Sequence, residues 1–161
     1  SAALQRYQDA GKIRLTDNLL LRSAIALEQA GSGAEVANLI SGYLAIAPGS
    51  RLAARIAANQ ALDAKDWGRA RLLLENLRLR GGNRDARLLA GLALAQLRSG
   101  DPKAAASTAE RAWQIAPASS FAATVLALTS NDANLVRQLI AQARKTGGDQ
   151  ALLAEAEGKL R

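Results

Sequence analysis

Arg55 and Asn59 stand four residues apart in "RLAARIAANQALD" (51–63). On a helix that spacing puts both side chains on one face. A guanidinium offers a planar fork of donors to a carboxylate, and a carboxamide can both donate to and accept from a peptide backbone. This is the chemistry of recognition, with no bond made or broken. The rest of the chain agrees, since it has no Cys and no His. Disulfides, zinc–cysteine sites and thiol nucleophiles are thereby excluded, and so are the usual neutral-pH base and the commonest metal ligand. The remaining carboxylates, Lys, Ser and Tyr form no paired-carboxylate or glycine-rich phosphate motif. The sequence reads as a non-enzyme with no cofactor and no metal.

Charge narrows the partners. The formal balance is +7, from 21 Lys and Arg against 14 Asp and Glu. A basic surface suits nucleic acid, anionic lipid or an acidic protein, but here the cations are spread along the chain. Single-strand binders pair basic grooves with stacking aromatics. This chain has two Trp, two Tyr and one Phe. Trp67, Trp113 and Tyr43 read as packing residues, and Tyr7 as a surface one. Nucleic-acid binding is therefore the alternative reading and a protein or peptide partner the main one. No apolar stretch approaches the ~20 residues that a spanning helix needs. The sequence begins without Met or a signal-peptide pattern, as an excised segment or mature form would.

The elements that position these residues must be helices. Apolar residues make up 49% of the chain but aromatics only 3%, so Ala and Leu fill the interior. That composition suits closely packed helices, since strands would want more β-branched and aromatic residues. The fold class expected is all-α, and 161 residues fit one domain. Within it the chain repeats itself. "QAGSGAEVANLISGYLAIAP" (29–48) returns 69 residues later as "RSGDPKAAASTAERAWQIAP" (98–117), with Gly and the final Ile-Ala-Pro in register. A third copy, "DAKDWGRARLLLENLRLRGG" (63–82), lies halfway between, with Gly82 where Pro117 stands.

Gly100 can take the left-handed conformation that closes a helix. Asp101-Pro102 supplies an N-cap followed by proline at the first helical position. The pattern predicts helices over 3–10, 17–30, 34–47, 51–64, 67–80, 84–98, 102–115, 120–129, 133–145 and 150–160. Thr16, Ser50, Asp66, Asn83, Asp101, Ser119, Asn131 or Asp132, and Asp149 stand at the cap positions.

A period of about 34 residues with these small and turn positions resembles the tetratricopeptide repeat (TPR) family. Residues 86–117 carry the resemblance best: Leu89, Leu92, Ala93, Gly100, Ala105, Ala112 and Pro117 fit its pattern. Gln96 and Ala109 stand where that family has large aromatics. The resemblance implies three to four degenerate units, at 17–48, 51–82, 86–117 and a weaker 119–148, with flanking helices 3–10 and 150–160. It implies a right-handed superhelical stack of antiparallel helix hairpins, because no single unit buries its apolar face alone.

The resemblance also implies a concave groove lined by the first helices, holding a peptide or helix of a partner. Its positions fall on Arg22, Arg55, Asn59, Arg87, Leu94 and Arg98, and an acidic or extended peptide suits that set. The family's carboxylate-holding clamp is incomplete here, with Gly91, Ala118 and Ala122 at its further positions. The Ala- and Arg-rich usage suggests a bacterial chain, where similar arrays serve envelope assemblies including exopolysaccharide export. The compartment stays open between periplasm and cytoplasm, with the periplasm favoured. Self-association through the last helix is a further possibility.

Overall fold

The computed structural model describes residues 2–161, with side chains from residue 16 onward. Among the described residues every regular element is helical: α1 Ala2–Gln29, α2 Gly33–Ile46, α3 Arg51–Asp63, α4 Trp67–Leu79, α5 Ala86–Arg98, α6 Pro102–Ile115, α7 Ser120–Thr129, α8 Ala133–Lys145 and α9 Gln150–Gly158, with a 3₁₀ turn at Gly82–Arg84. Two compact units divide the chain, Ser1–Ala64 and Lys65–Arg161. The boundary falls between α3 and α4, inside the expected second repeat.

Caps explain most helix starts. Ser50, Asp66, Asp101, Ser119, Asp132 and Asp149 each accept a hydrogen bond from a backbone N–H two or three residues on, worth about 1 kcal/mol per cap. Two expected caps are corrected. Thr16 lies inside α1, which runs unbroken where helices 3–10 and 17–30 were expected. No proline separates those segments, and a lone Gly11 costs a helix only ~1 kcal/mol. Asn83 is displaced by Asp85, whose carboxylate accepts from the Leu88 N–H at 3.0 Å. The cause is Gly82: a Cβ there would lie 2.8 Å from the Leu77 carbonyl oxygen and from Leu88 Cδ1. The close approach holds the chain in a 3₁₀ turn and delays α5. The side chain of Tyr7 lies outside the described residues.

The 69-residue echo is reproduced in detail. The N–H of Ala47 donates to the Tyr43 carbonyl and that of Ser50 to the Ala47 carbonyl. Ala116 and Ser119 do the same to Ala112 and Ala116. Ser50 and Ser119 then cap the next helices through Ala53 N at 3.1 Å and Ala122 N at 3.2 Å. At the other turn of the repeat, Gly31 and Gly100 have φ of 75° and 82°. The next N–H, of Ser32 or Asp101, reaches back to the Leu27 or Gln96 carbonyl at 2.9 Å, which closes the helix as a Schellman motif.

In the first unit, α1 packs on α2 and α3, and α2 on α3. The Tyr43 hydroxyl donates to Asp17 Oδ1 at 2.7 Å, and Ser50 Oγ donates to the same oxygen at 2.8 Å. One carboxylate therefore ties α2 and the Pro48 turn to α1. Burial, reinforced by Asp17, pushes the Tyr43 hydroxyl above its ordinary pKa, so it stays a donor.

In the second unit α5 is central, packed by α4, α6 and α7. Every residue from Leu88 to Gln96 is buried. The face that α6 buries consists of Ala105, Ala109 and Ala112, a small-residue stripe that lets helix axes approach to about 8–10 Å. Beyond it, α7 pairs with α8, and α9 lays Leu153 and Ala156 against that pair. Lys159 Nζ donates to the carbonyls of Leu128 and Ser130 at 2.6 and 2.7 Å, satisfying oxygens at the end of α7.

Candidate binding site

The first unit contains an open cleft of about 170 Å³. Its walls are Leu21, Ala24, Ile25 and Glu28 of α1, and Ile56, Asn59, Gln60 and Asp63 of α3. Each set runs i, i+3, i+4, i+7, one face of a helix, and each α3 position lies 35 residues after its α1 counterpart. The repeat thus supplies the cleft twice over, once from each wall. Leu21, Ile25 and Ile56 give it apolar surface, with Leu21 and Ile25 37% and 44% exposed. Asn59 and Gln60 place two carboxamides beside that surface, and Glu28 and Asp63 occupy the last position of each set. The cleft therefore suits a segment with an apolar anchor, backbone amides to pair and a cation or N–H donor facing the two carboxylates.

Of the residues expected to line a groove, Asn59 is in this cleft. Arg55 is exposed one turn earlier on α3, Arg22 is exposed on α1 beside Leu21, and Arg87 is exposed in the first turn of α5. Two others are used within the chain. Leu94 is only 6% exposed and belongs to the core of the second unit. Arg98 forks onto Glu155 of α9, Nη1 to Oε1 at 2.7 Å and Nη2 to Oε2 at 2.5 Å. It also lies 5.9 Å above the Trp67 ring, within cation–π range. The bidentate hydrogen bonds to Arg98 hold the Glu155 carboxyl below its ordinary range.

Both tryptophans are half-buried. Trp67 opens α4 under Arg98, and Trp113 holds its Nε1 buried and without a hydrogen-bond partner among the described residues. Reading by groove position missed Leu21, Ile25, Ile56 and Gln60. Carrying the 35-residue offset along both first helices would have found them.

No protein-family model matches the sequence, and neither does any curated protein. Among solved structures, MamA of AMB-1, a tetratricopeptide-repeat protein in its P212121 crystal form, superposes with a TM-score of 0.62 at 16% identity, over 91% of this chain and 90% of that one. The fold is tetratricopeptide-like. The all-α class and the helical-repeat organisation expected from the sequence are thereby shown. No helix among the described residues is long and apolar enough to cross a membrane.

Proposed function

We propose that the protein is a non-catalytic interaction scaffold, and that the α1–α3 cleft takes a segment of a partner protein. The observation that supports this is the cleft itself: two equivalent helix faces leave Leu21 and Ile25 in solvent beside Asn59 and Gln60. Scattered apolar side chains are ordinary on a surface, but apolar residues gathered with convergent polar groups in a concavity are what binding sites look like. Arg22 and Arg55, exposed on the same two helices, would take acidic residues of the partner, while Glu28 and Asp63 would take a cation or N–H donor. The favoured partner carries an apolar anchor flanked by mixed charge. The proposal extends to a bacterial envelope assembly, with exopolysaccharide export as one setting. That extension rests on the Ala- and Arg-rich composition and on the resemblance to repeat arrays.

The test is a random-peptide display library selected on the immobilised protein. Peptides with an apolar anchor should be enriched. Their capture should fall at least tenfold for Ile25→Asp combined with Asn59→Ala, the loss of roughly 1.4 kcal/mol or more, while the melting temperature stays unchanged. Failure to enrich any motif, or equal capture by the variant, would remove the cleft as the site.

A further inference from the structure

The second unit holds a larger cleft, about 360 Å³, between α4 and α6 with α5 as its floor. Its lining is polar. Glu75 and Arg78 come from α4, Gln96 from α5, and Ser107, Thr108 and Arg111 from α6. Gln96 is only 7% exposed, and its Oε1 is buried without a hydrogen-bond partner among the described residues. An amide oxygen in that state has lost water and gained nothing, a loss that native structures rarely leave uncompensated.

The cations of the cleft differ in how they are held. Arg78 is forked onto Glu75, Nε at 3.2 Å and Nη2 at 2.5 Å from Oε1. Arg111 forms no ion pair among the described residues; its Nε donates to the Asn83 carbonyl at 3.4 Å, a long and weak contact. A guanidinium without a carboxylate, a buried amide without a partner and two hydroxyls thus line one cavity.

We propose that this cleft binds a small zwitterionic ligand of the α-amino-acid class. The carboxylate sits on Arg111, in the geometry that a guanidinium favours. The amino group donates to Gln96 Oε1, and Glu75, paired with Arg78, also lines the cleft. Ser107 and Thr108 complete the hydrogen bonding. The cavity has room for such a molecule with its side chain and is too small for a folded element. The same carboxylate and N–H could come from a free amino acid or from the C-terminal residue of a peptide, and the cavity volume of about 360 Å³ favours the free molecule. The site is separate from the α1–α3 cleft and does not depend on its role.

The experiment is NMR titration of the whole chain with the free L-amino acids, their N-acetyl derivatives and their amides. Free amino acids should shift amide signals in α4, α5 and α6 and saturate, whereas carboxamides should not. N-acetyl derivatives should bind at least tenfold more weakly. If they bind as well or better, the C-terminal source replaces the free one and the proposal as stated fails. Arg111→Ala should weaken binding at least tenfold, the loss of about one charge-assisted hydrogen bond. Gln96→Leu should also remove binding while leaving the melting temperature equal or higher, since it deletes an unpaired buried amide. No saturating shift with any compound, or unchanged binding in both variants, would make the cleft a solvent-filled space and overturn the proposal.

Discussion

The two units make the same turns and bury very different amounts of helix. At Pro48 and at Pro117 the hydrogen bonds are the same, down to the serine that caps the following helix. Yet α1 leaves Leu19, Leu21 and Ile25 exposed, while α5 has nine consecutive residues buried. Turn chemistry is local and repeats wherever the sequence repeats. Burial depends on what stands on each side. In the first unit α1 has α2 and α3, and in the second α5 has α4, α6 and α7.

The cleft positions sharpen the contrast. Ile56, Asn59, Gln60 and Asp63 correspond, 35 residues on, to Gly91, Leu94, Ala95 and Arg98. Gly91, Leu94 and Ala95 are buried in a helix packed by α4, α6 and α7, and Arg98 is held by Glu155. One register gives an open cleft in one unit and a sealed core in the other.

The largest expected effect breaks that contrast directly. Ala95, fully buried, replaced by Leu should overpack the second unit and cost roughly 1–3 kcal/mol. The corresponding Gln60→Leu lies in the open cleft and should leave stability within about 0.5 kcal/mol. Thermal or urea melts of both variants decide the matter, and equal losses would mean that the first-unit cleft is packed in solution.

A smaller effect is expected at Lys65, whose φ of 57° places a side-chain-bearing residue in the left-handed region. Gly31 and Gly100 do this work at the other turns. Lys65→Gly should therefore stabilise by about 1 kcal/mol, read as a raised urea midpoint.

The smallest effect concerns pH. The Glu155 pKa is lowered in the folded chain, first by its hydrogen bonds to Arg98. A carboxyl whose folded pKa lies below its unfolded value stabilises the fold above the unfolded value, and that contribution is lost as pH falls through the folded one. Glu155→Gln should accordingly lower stability at neutral pH by up to ~1 kcal/mol, leave it unchanged in strong acid, and so flatten the acid limb of the stability profile below about pH 4.3. The pair is partly solvent-exposed, and such pairs contribute at most ~1 kcal/mol.

Much of the fold was legible in the sequence because its signals are local. Six of the eight expected cap positions hold caps, and the Gly and Pro spacing marked the turns. The exceptions have physical causes. Thr16 looked like a cap, but no helix breaker precedes it. Asn83 lost that role to Asp85 because Gly82 packs too tightly against Leu77 and Leu88 for the helix to begin there. The candidate site was less legible. Asn59 could be assigned to a helix face by spacing, but whether a face stays open is set by neighbours distant in sequence. Leu94 stands in the same register as Asn59 and is buried in a helix that α4, α6 and α7 surround. Arg98 looked available until α9, 57 residues away, supplied Glu155. Gln96 was noted for the aromatic it replaces, and its unpaired amide became visible only with α4 and α6 in place.

Amide hydrogen exchange, with and without a peptide selected on the protein, tests the central claim most directly. Protection gained in residues 21–28 and 56–63, with no change in 86–98, is the result predicted for a scaffold that binds through the open first-unit cleft. Protection gained along α5, with α1 and α3 unchanged, would contradict it.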